Sequence, residues 1–497
     1  MSDGFPSALR TLETSIVSVD GVSYAAVTPD GMAVLARPEQ LNAFEGSASE
    51  CDGKRLLVGH RSAANLEALR SALSWLRPQP LGLRTSVGFG DRLGVATPGH
   101  IAAMRCDGVG ISPIFAQQSI REMDRTRRAP REVMDDATWA VFCSGWREPF
   151  GADADHLKTE EDVRRCLRVG YTLWTIDPGD HVDSIADTAT ADQLKEKFEQ
   201  LPWSELADTP EASLRRYRDR SFGIEHHQLV MNEISAVRAA VKYGRAVAHT
   251  HTLVSLIRSD LGSDGWELEV AIDETDQVTS HLEHIYIVLE LQRLGVKITG
   301  FAPRYLGEFE KGTDYIGDLD AFEDHVALHA AIARQLGPYK LSLHSGSDKF
   351  SIFAAAARQT RGIVHLKTAG TSYVEALRTV ASLDPSLFRE IYAFARAQYE
   401  SARRGYHISA RLERTPPPED IPDAELPALL EQPDARQVLH VTYGQVLTAE
   451  DASGRGLFRE RLRSALQAAP EAYAARLEAH FARHLAPFAR WSSGSDQ

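Results

Sequence analysis

The sequence predicts an α/β fold, a (β/α)8 TIM-type barrel with an N-terminal α+β addition, an insertion after strand four and a helical C-terminal extension. Three observations predict it. Eight short β-rich runs follow one another between residues 84 and 368. The intervals between them carry helix start and stop signals. Ionisable residues gather at the C-terminal ends of the runs, which is where such barrels build their active sites. Strand–helix alternation alone would also suit an open doubly wound sheet.

Taken in order, residues 1–80 read as a small α+β region. Residues 81–370 carry the barrel, and 371–497 are mostly helical around the Pro-rich loop RTPPPEDIPDAELP. The first four runs are RTSVGFGD (84–91), VGISPIFAQQ (109–118), GADADHLK (151–158) and YTLWTIDPG (171–179). The last four are WELEVAIDET (266–275), VKITGFAPR (296–304), YKLSLHSGS (339–347) and GIVHLKTAG (362–370). Between the fourth and fifth runs, residues 184–260 form an insertion with a long helical segment near 227–260, a candidate lid or oligomer contact. KTEEDVRRCLRVG shows the helix signals: Thr159 as N-cap, acids in the first turn and Gly170 after the end.

Composition narrows the function. The chain has 497 residues and is 43% hydrophobic, enough for a large core. A net charge of −14 argues against a nucleic-acid or anionic-membrane surface. Cys51, Cys106, Cys143 and Cys166 are scattered without CxxC spacing, which suggests reduced thiols. There is no signal-peptide pattern and no long apolar window, so a soluble cytoplasmic protein, open to homo-oligomerisation, is expected.

Residues two apart on a strand share a face. With the leucines of KLSLHSG turned toward the outer helices, Ser342 and His344 point into the barrel. His365 and Lys367 do the same in IVHLKTAG, as do Glu269 and Asp273 in LEVAIDET, with Glu274 just beyond. Asp153 and Asp155 share one face, with Ala152, Ala154 and His156 on the other, and Asp177 ends its strand. Singly, each has a plainer reading: a strand-end Asp caps a helix, and a lone His is a core residue. Asp348 has the same plain reading as a cap. Five strand ends converging on one rim need compensation, and a divalent cation supplies it. His344 and His365 with Asp273 or Glu274 make a mixed N/O metal site suited to Zn²⁺, Mn²⁺, Ni²⁺ or Co²⁺. Lys158, Arg304, Lys349 and Lys367 are candidates for holding an anionic or polyhydroxyl substrate, with Gln118, Asp348 and His440 beside them. His249 and His251 fall on a helix, where positions two apart diverge. GFGDRLG is a broken dinucleotide fingerprint without its downstream acid.

The stretches YKLSLHSGSDKFSI, HLKTAGTSYVEALR, FAQQSIREM, PFGADADHLKTEEDV, TIDPGDHVD and RQVLHVTYG resemble the tagaturonate epimerase family. The resemblance runs from about residue 85 to 450. It implies a metal-dependent sugar epimerase on a barrel, interconverting D-tagaturonate and D-fructuronate. These ketouronates differ at a hydroxyl-bearing carbon β to the ketone. Enolisation exchanges only α protons, so retro-aldol cleavage and re-addition is the expected route. Asp155, Asp177 and Glu274 are then candidates for general base. Lys367 is the candidate to polarise the departing aldehyde, or to form a Schiff base with it. The insertion at 184–260 is the candidate cover. Competing readings are a neutral or phosphorylated ketohexose 4-epimerase, a metal-dependent aldolase and a non-catalytic sugar-binding barrel.

Overall fold

Residues 4–492 are described here from a computed structural model. The N-terminal strands β1 (Val17–Val19), β2 (Val22–Val27), β3 (Gly31–Ala36), β4 (Ser47–Cys51) and β5 (Lys54–His60) form an antiparallel sheet in the order β1-β2-β3-β5-β4. Helix Ala63–Ala72, capped by the Ser62 hydroxyl, leads from this sheet toward the barrel.

The barrel strands are β6 (Ser86–Gly90), β7 (Ser112–Ser119), β8 (Gly151–Leu157), β9 (Leu173–Ile176), β12 (Glu267–Ala271), β13 (Gly300–Ala302), β14 (Lys340–Leu343) and β15 (Val364–Thr368). They are all parallel and close in chain order, β15 pairing with β6. Nearly every residue in them is buried, because helices cover one face and the barrel interior the other. All eight predicted runs are strands of this barrel.

The segment between β9 and β12 is built differently from its sequence expectation. Residues 227–231 belong to a hairpin, β10 (Arg220–Ile224) with β11 (His227–Met231), and the helix begins only at Glu233. Asn232 caps that helix, so the chain cannot enter it earlier. Helix Glu233–Leu261 packs between Glu160–Cys166 and His281–Arg293, the place of the barrel's fourth outer helix. Buried Lys242 ties it down through Asp187 and Glu283, at 2.9 and 3.1 Å.

After β15 the chain is helical, as expected. Its last helix, Pro470–Ser492, lies along Thr97–Asp107 and Phe350–Thr360. Gly99 permits the first contact, since a Cβ there would come within 2.8 Å of the Leu477 Cβ. No described helix is long and apolar enough to cross a membrane.

Candidate active site

The barrel interior is filled with polar groups in layers. Lowest are Ser86, Lys340 and His365: the Lys340 ammonium donates to the Ser86 hydroxyl at 3.1 Å, and His365 Nδ1 lies 2.9 Å from it. Above them Asp153, Thr175, Glu269 and Ser342 meet, with the Thr175 and Ser342 hydroxyls both donating to Glu269. The Lys367 ammonium joins this layer to the next. It pairs with Asp153 at 2.8 Å, Asp155 at 2.7 Å and Glu269 at 2.9 Å. Burial works against that charge, but the three carboxylates outweigh it and hold the lysine well above its ordinary pKa. Burial pushes the Asp153 carboxyl up to about 6.

At the mouth two imidazoles face three carboxylates. His344 sets Nε2 2.7 Å from Glu269 and Nδ1 2.9 Å from Asp273. His156 sets Nδ1 2.7 Å from Asp155 and Nε2 3.7 Å from Asp273. Burial opposes both cations, yet the carboxylates raise His344 from its ordinary value and His156 well above it. His156, Asp273 and His344 each present one ligand atom within 4.8 Å of the others. Two imidazoles and a carboxylate are a donor set for a divalent transition ion.

Above this cluster opens a cavity of about 510 Å³ lined by Asp273, Glu274, Arg304, Lys311, His344 and Arg404, among others. A smaller recess continues down to Asp155, His156 and Lys367. The cover comes from the loop after β13 and from Arg404–His407, not from residues 184–260, none of which lines either space. That insertion is committed to the outer helical ring, whereas Tyr406 reaches the mouth and accepts a hydrogen bond from Arg125.

The sequence candidates divide into two sets. Asp155, Asp273, Glu274, Arg304, His344 and Lys367 all line the cavity or its recess. Glu274 is gripped by both Arg121 nitrogens at 2.6 and 3.0 Å, while Arg304 pairs with Glu308 at 3.1 Å. The others lie elsewhere. His365 lies deeper in the barrel than His344, outside the three-residue group, because Ser342, not His344, is its partner across the ladder. Asp177 accepts from the Gly179 N–H and sits 3.6 Å from Lys158, which pairs with Asp180 at 2.9 Å. Gln118 turns away to Arg128 and Thr126. Lys349 donates to the Glu310, Thr313 and Ser347 carbonyls, and burial lowers it to about 8. Asp348 pairs with Arg436 and His480, each at 2.7 Å. His440 is buried against Gly370, where a Cβ would overlap its ring.

Strict alternation fails at two points. The β7–β8 pairing slips between Ile114 and Ala116, so Gln117, not Gln118, enters the recess and donates to Asp155. The β8–β9 pairing slips between Ala154 and Leu157, and His156 takes φ +55°, which swings it from the predicted outer face into the mouth. Arg121, Lys311 and Tyr406 also line the cavity and had no strand-end signal, since helices and loops supply them.

Comparison with known proteins agrees with this architecture. A family model described as tagaturonate epimerase matches residues 26–488. The tagaturonate/fructuronate epimerase of Thermotoga maritima is 41% identical over 488 residues, 97% of this chain and 98% of that protein. The native crystal structure of fructuronate-tagaturonate epimerase from Cohnella laeviribosi superposes with a TM-score of 0.89 at 36% identity, covering 97% of each chain. A glycerol complex of the same enzyme gives the same score and covers 96% of that chain. With most of its length matched at these identities, the chain belongs to the tagaturonate epimerase family, and is an isomerase.

Proposed function

We propose that the protein interconverts D-tagaturonate and D-fructuronate by retro-aldol chemistry with a divalent metal ion. The observation that supports this reading best is the mouth cluster, where a cation-binding group, a general base and unpaired cations face one cavity. His156, Asp273 and His344 would hold the ion, whose Lewis acidity would act on the ketone oxygen.

Glu274 is the general base. Asp155 is saturated by Lys367, His156 and Gln117, and Asp177 lines neither space, whereas Glu274 faces the cavity with Arg121 as its one side-chain hydrogen-bond partner among the described residues. It takes the proton of the inverting hydroxyl as the bond between the α and β carbons breaks. The β carbon becomes an aldehyde, and the bonding electrons pass to the former ketone as an enediolate. The aldehyde rotates, the bond re-forms on its other face and Glu274 returns the proton. Lys367 supplies positive charge at the floor without forming a Schiff base, because its three carboxylates keep it an ammonium. Loop 303–309 and Arg404–His407 retain both fragments.

Lys311 and Arg404 give the preference for a uronate. Both line the cavity, and neither has an ion-pair partner among the described residues. A substrate carboxylate would supply one.

The test is ¹³C NMR of the purified protein with Mn²⁺ or Zn²⁺, incubated separately with D-tagaturonate and D-fructose, with a chelator control. Conversion of tagaturonate to fructuronate, abolished by chelation, is expected. Turnover of fructose alone would move the assignment to a neutral ketohexose, and released three-carbon fragments would make the enzyme an aldolase. Full activity in a metal-free preparation would end the metal mechanism.

A further inference from the structure

A second group of histidines lies outside the barrel. His281 opens helix His281–Arg293, and His325 and His329 stand one turn apart on the neighbouring helix Leu319–Leu336. Their ligand atoms lie within 4.8 Å of one another. The ring centroids are 5.0 Å apart for His281–His325, 4.5 Å for His281–His329 and 4.5 Å for His325–His329. Three imidazoles around one tetrahedral ion place their centroids about 5 Å apart, given metal–nitrogen bonds of about 2.1 Å.

The chemistry around them is that of neutral ligands. No carboxylate pairs with any of the three among the described residues, and His281 Nε2 lies 3.1 Å from the His325 carbonyl, which leaves Nδ1 as the ligand atom of His281. Burial, reinforced by the neighbouring imidazoles, pushes His325 down to about 4 and His329 well below the histidine range. His329 is fully buried, and its Nε2 has no hydrogen-bond partner among the described residues; the same holds for His325 Nδ1. Behind them, His329 Nδ1 lies 2.8 Å from His284 Nδ1, and His284 Nε2 lies 2.8 Å from the Tyr339 hydroxyl. That relay can fix the tautomer. If His329 donates from Nδ1 and His284 donates from Nε2 to Tyr339, His329 Nε2 is left with a free lone pair, as a metal ligand requires.

We propose that His281, His325 and His329 form a structural site for a divalent transition ion of the zinc class, separate from the barrel mouth. Water completes the coordination, since His281 and His325 are half-buried and open to solvent. The ion staples the two helices together. It also braces a wall of the cavity, because Tyr305 packs edge-on to His325 and His329 and lines the cavity on its other side.

The experiment is calorimetric titration of the chelator-treated full-length protein with Zn²⁺ alone, alongside metal analysis and thermal melting. The doubly substituted His281→Gln/His325→Gln protein alters only half-buried positions outside the cavity, and circular dichroism checks its fold. It should bind about one zinc fewer than the wild type and lose most of the zinc-induced rise in Tm. The complementary variant Asp273→Asn should keep that second equivalent. Cobalt substituted into this variant should give the visible absorption of a tetrahedral site. Equal zinc uptake by the doubly substituted and wild-type proteins would overturn the assignment, as would an Asp273→Asn protein that binds no zinc. The site does not depend on the epimerase reading, so either can fail alone.

Discussion

His344 and Asp348 lie on the same loop after β14, and their surroundings could hardly differ more. At the His344 end the side chain meets Glu269 and Asp273 at the cavity. At the Asp348 end the carboxylate is closed in by Arg436 and His480, and its backbone N–H donates to His484 Nε2 at 3.1 Å. Asp348, His480 and His484 also lie close enough together to bind a metal. There, however, Arg436 already occupies one carboxylate oxygen, and neither the cavity nor its recess reaches the group. Proximity of ligand types therefore does not separate a metal site from an anchor. What separates them is whether a cavity adjoins the group and whether an arginine already neutralises its carboxylate.

Substitutions along this loop test the division. His344→Asn should lower kcat/KM by at least about 10³-fold, about 4 kcal/mol of transition-state stabilisation, while the protein still folds. A loss of less than tenfold would remove His344 from the reaction. Asp348→Asn should do the reverse. It leaves buried Arg436 with Glu375, at 3.7 Å, as its remaining buried carboxylate partner, so denaturant unfolding should show about 3 kcal/mol less stability, with kcat changed by less than about tenfold. A large kcat effect at unchanged stability would put Asp348 in the catalytic set.

The same comparison has a pH signature. Burial alone would raise the Asp348 carboxyl, but Arg436 and His480 hold it well below the ordinary carboxylate range. A depressed carboxyl contributes stability that is complete above its unfolded pKa of about 3.9 and is lost as the pH falls through the lower folded value. The stability gap between wild type and Asp348→Asn should thus be flat from neutral pH to about 5 and narrow below about 4. A gap independent of pH down to 2 would break the ion-pair account. The smallest effect is expected at Ser345, which sits between the two ends and accepts from the Lys311 ammonium at 2.6 Å. Ser345→Ala should raise KM for the ketouronate by up to about tenfold through a misplaced Lys311, at little cost in stability. An unchanged KM would take Lys311 away from the substrate.

Much of this was legible in the chain because a parallel strand obeys simple rules. Alternation puts Glu269, Ser342, His344 and Lys367 on one face, and all of them meet inside the barrel. Local rules end where register slips, which is why His156 and Gln117 escaped and Gln118 did not belong. They end again where partners are remote in sequence. Nothing near Asp348 or Lys349 announces that Arg436, His480 and the 310–313 carbonyls will claim them.

The mouth of the barrel is finished by the part of the chain made last. Tyr406 emerges about 40 residues after β15, and at about 5–20 residues per second the ribosome leaves a complete set of barrel strands uncovered for seconds. During that interval the loop after β14 still waits for Arg436 and His480, and the cavity has only the part of its cover that the loop after β13 supplies. A nascent chain can therefore have a closed barrel without a site able to retain its fragments, and competence for turnover arrives only with the C-terminal helices.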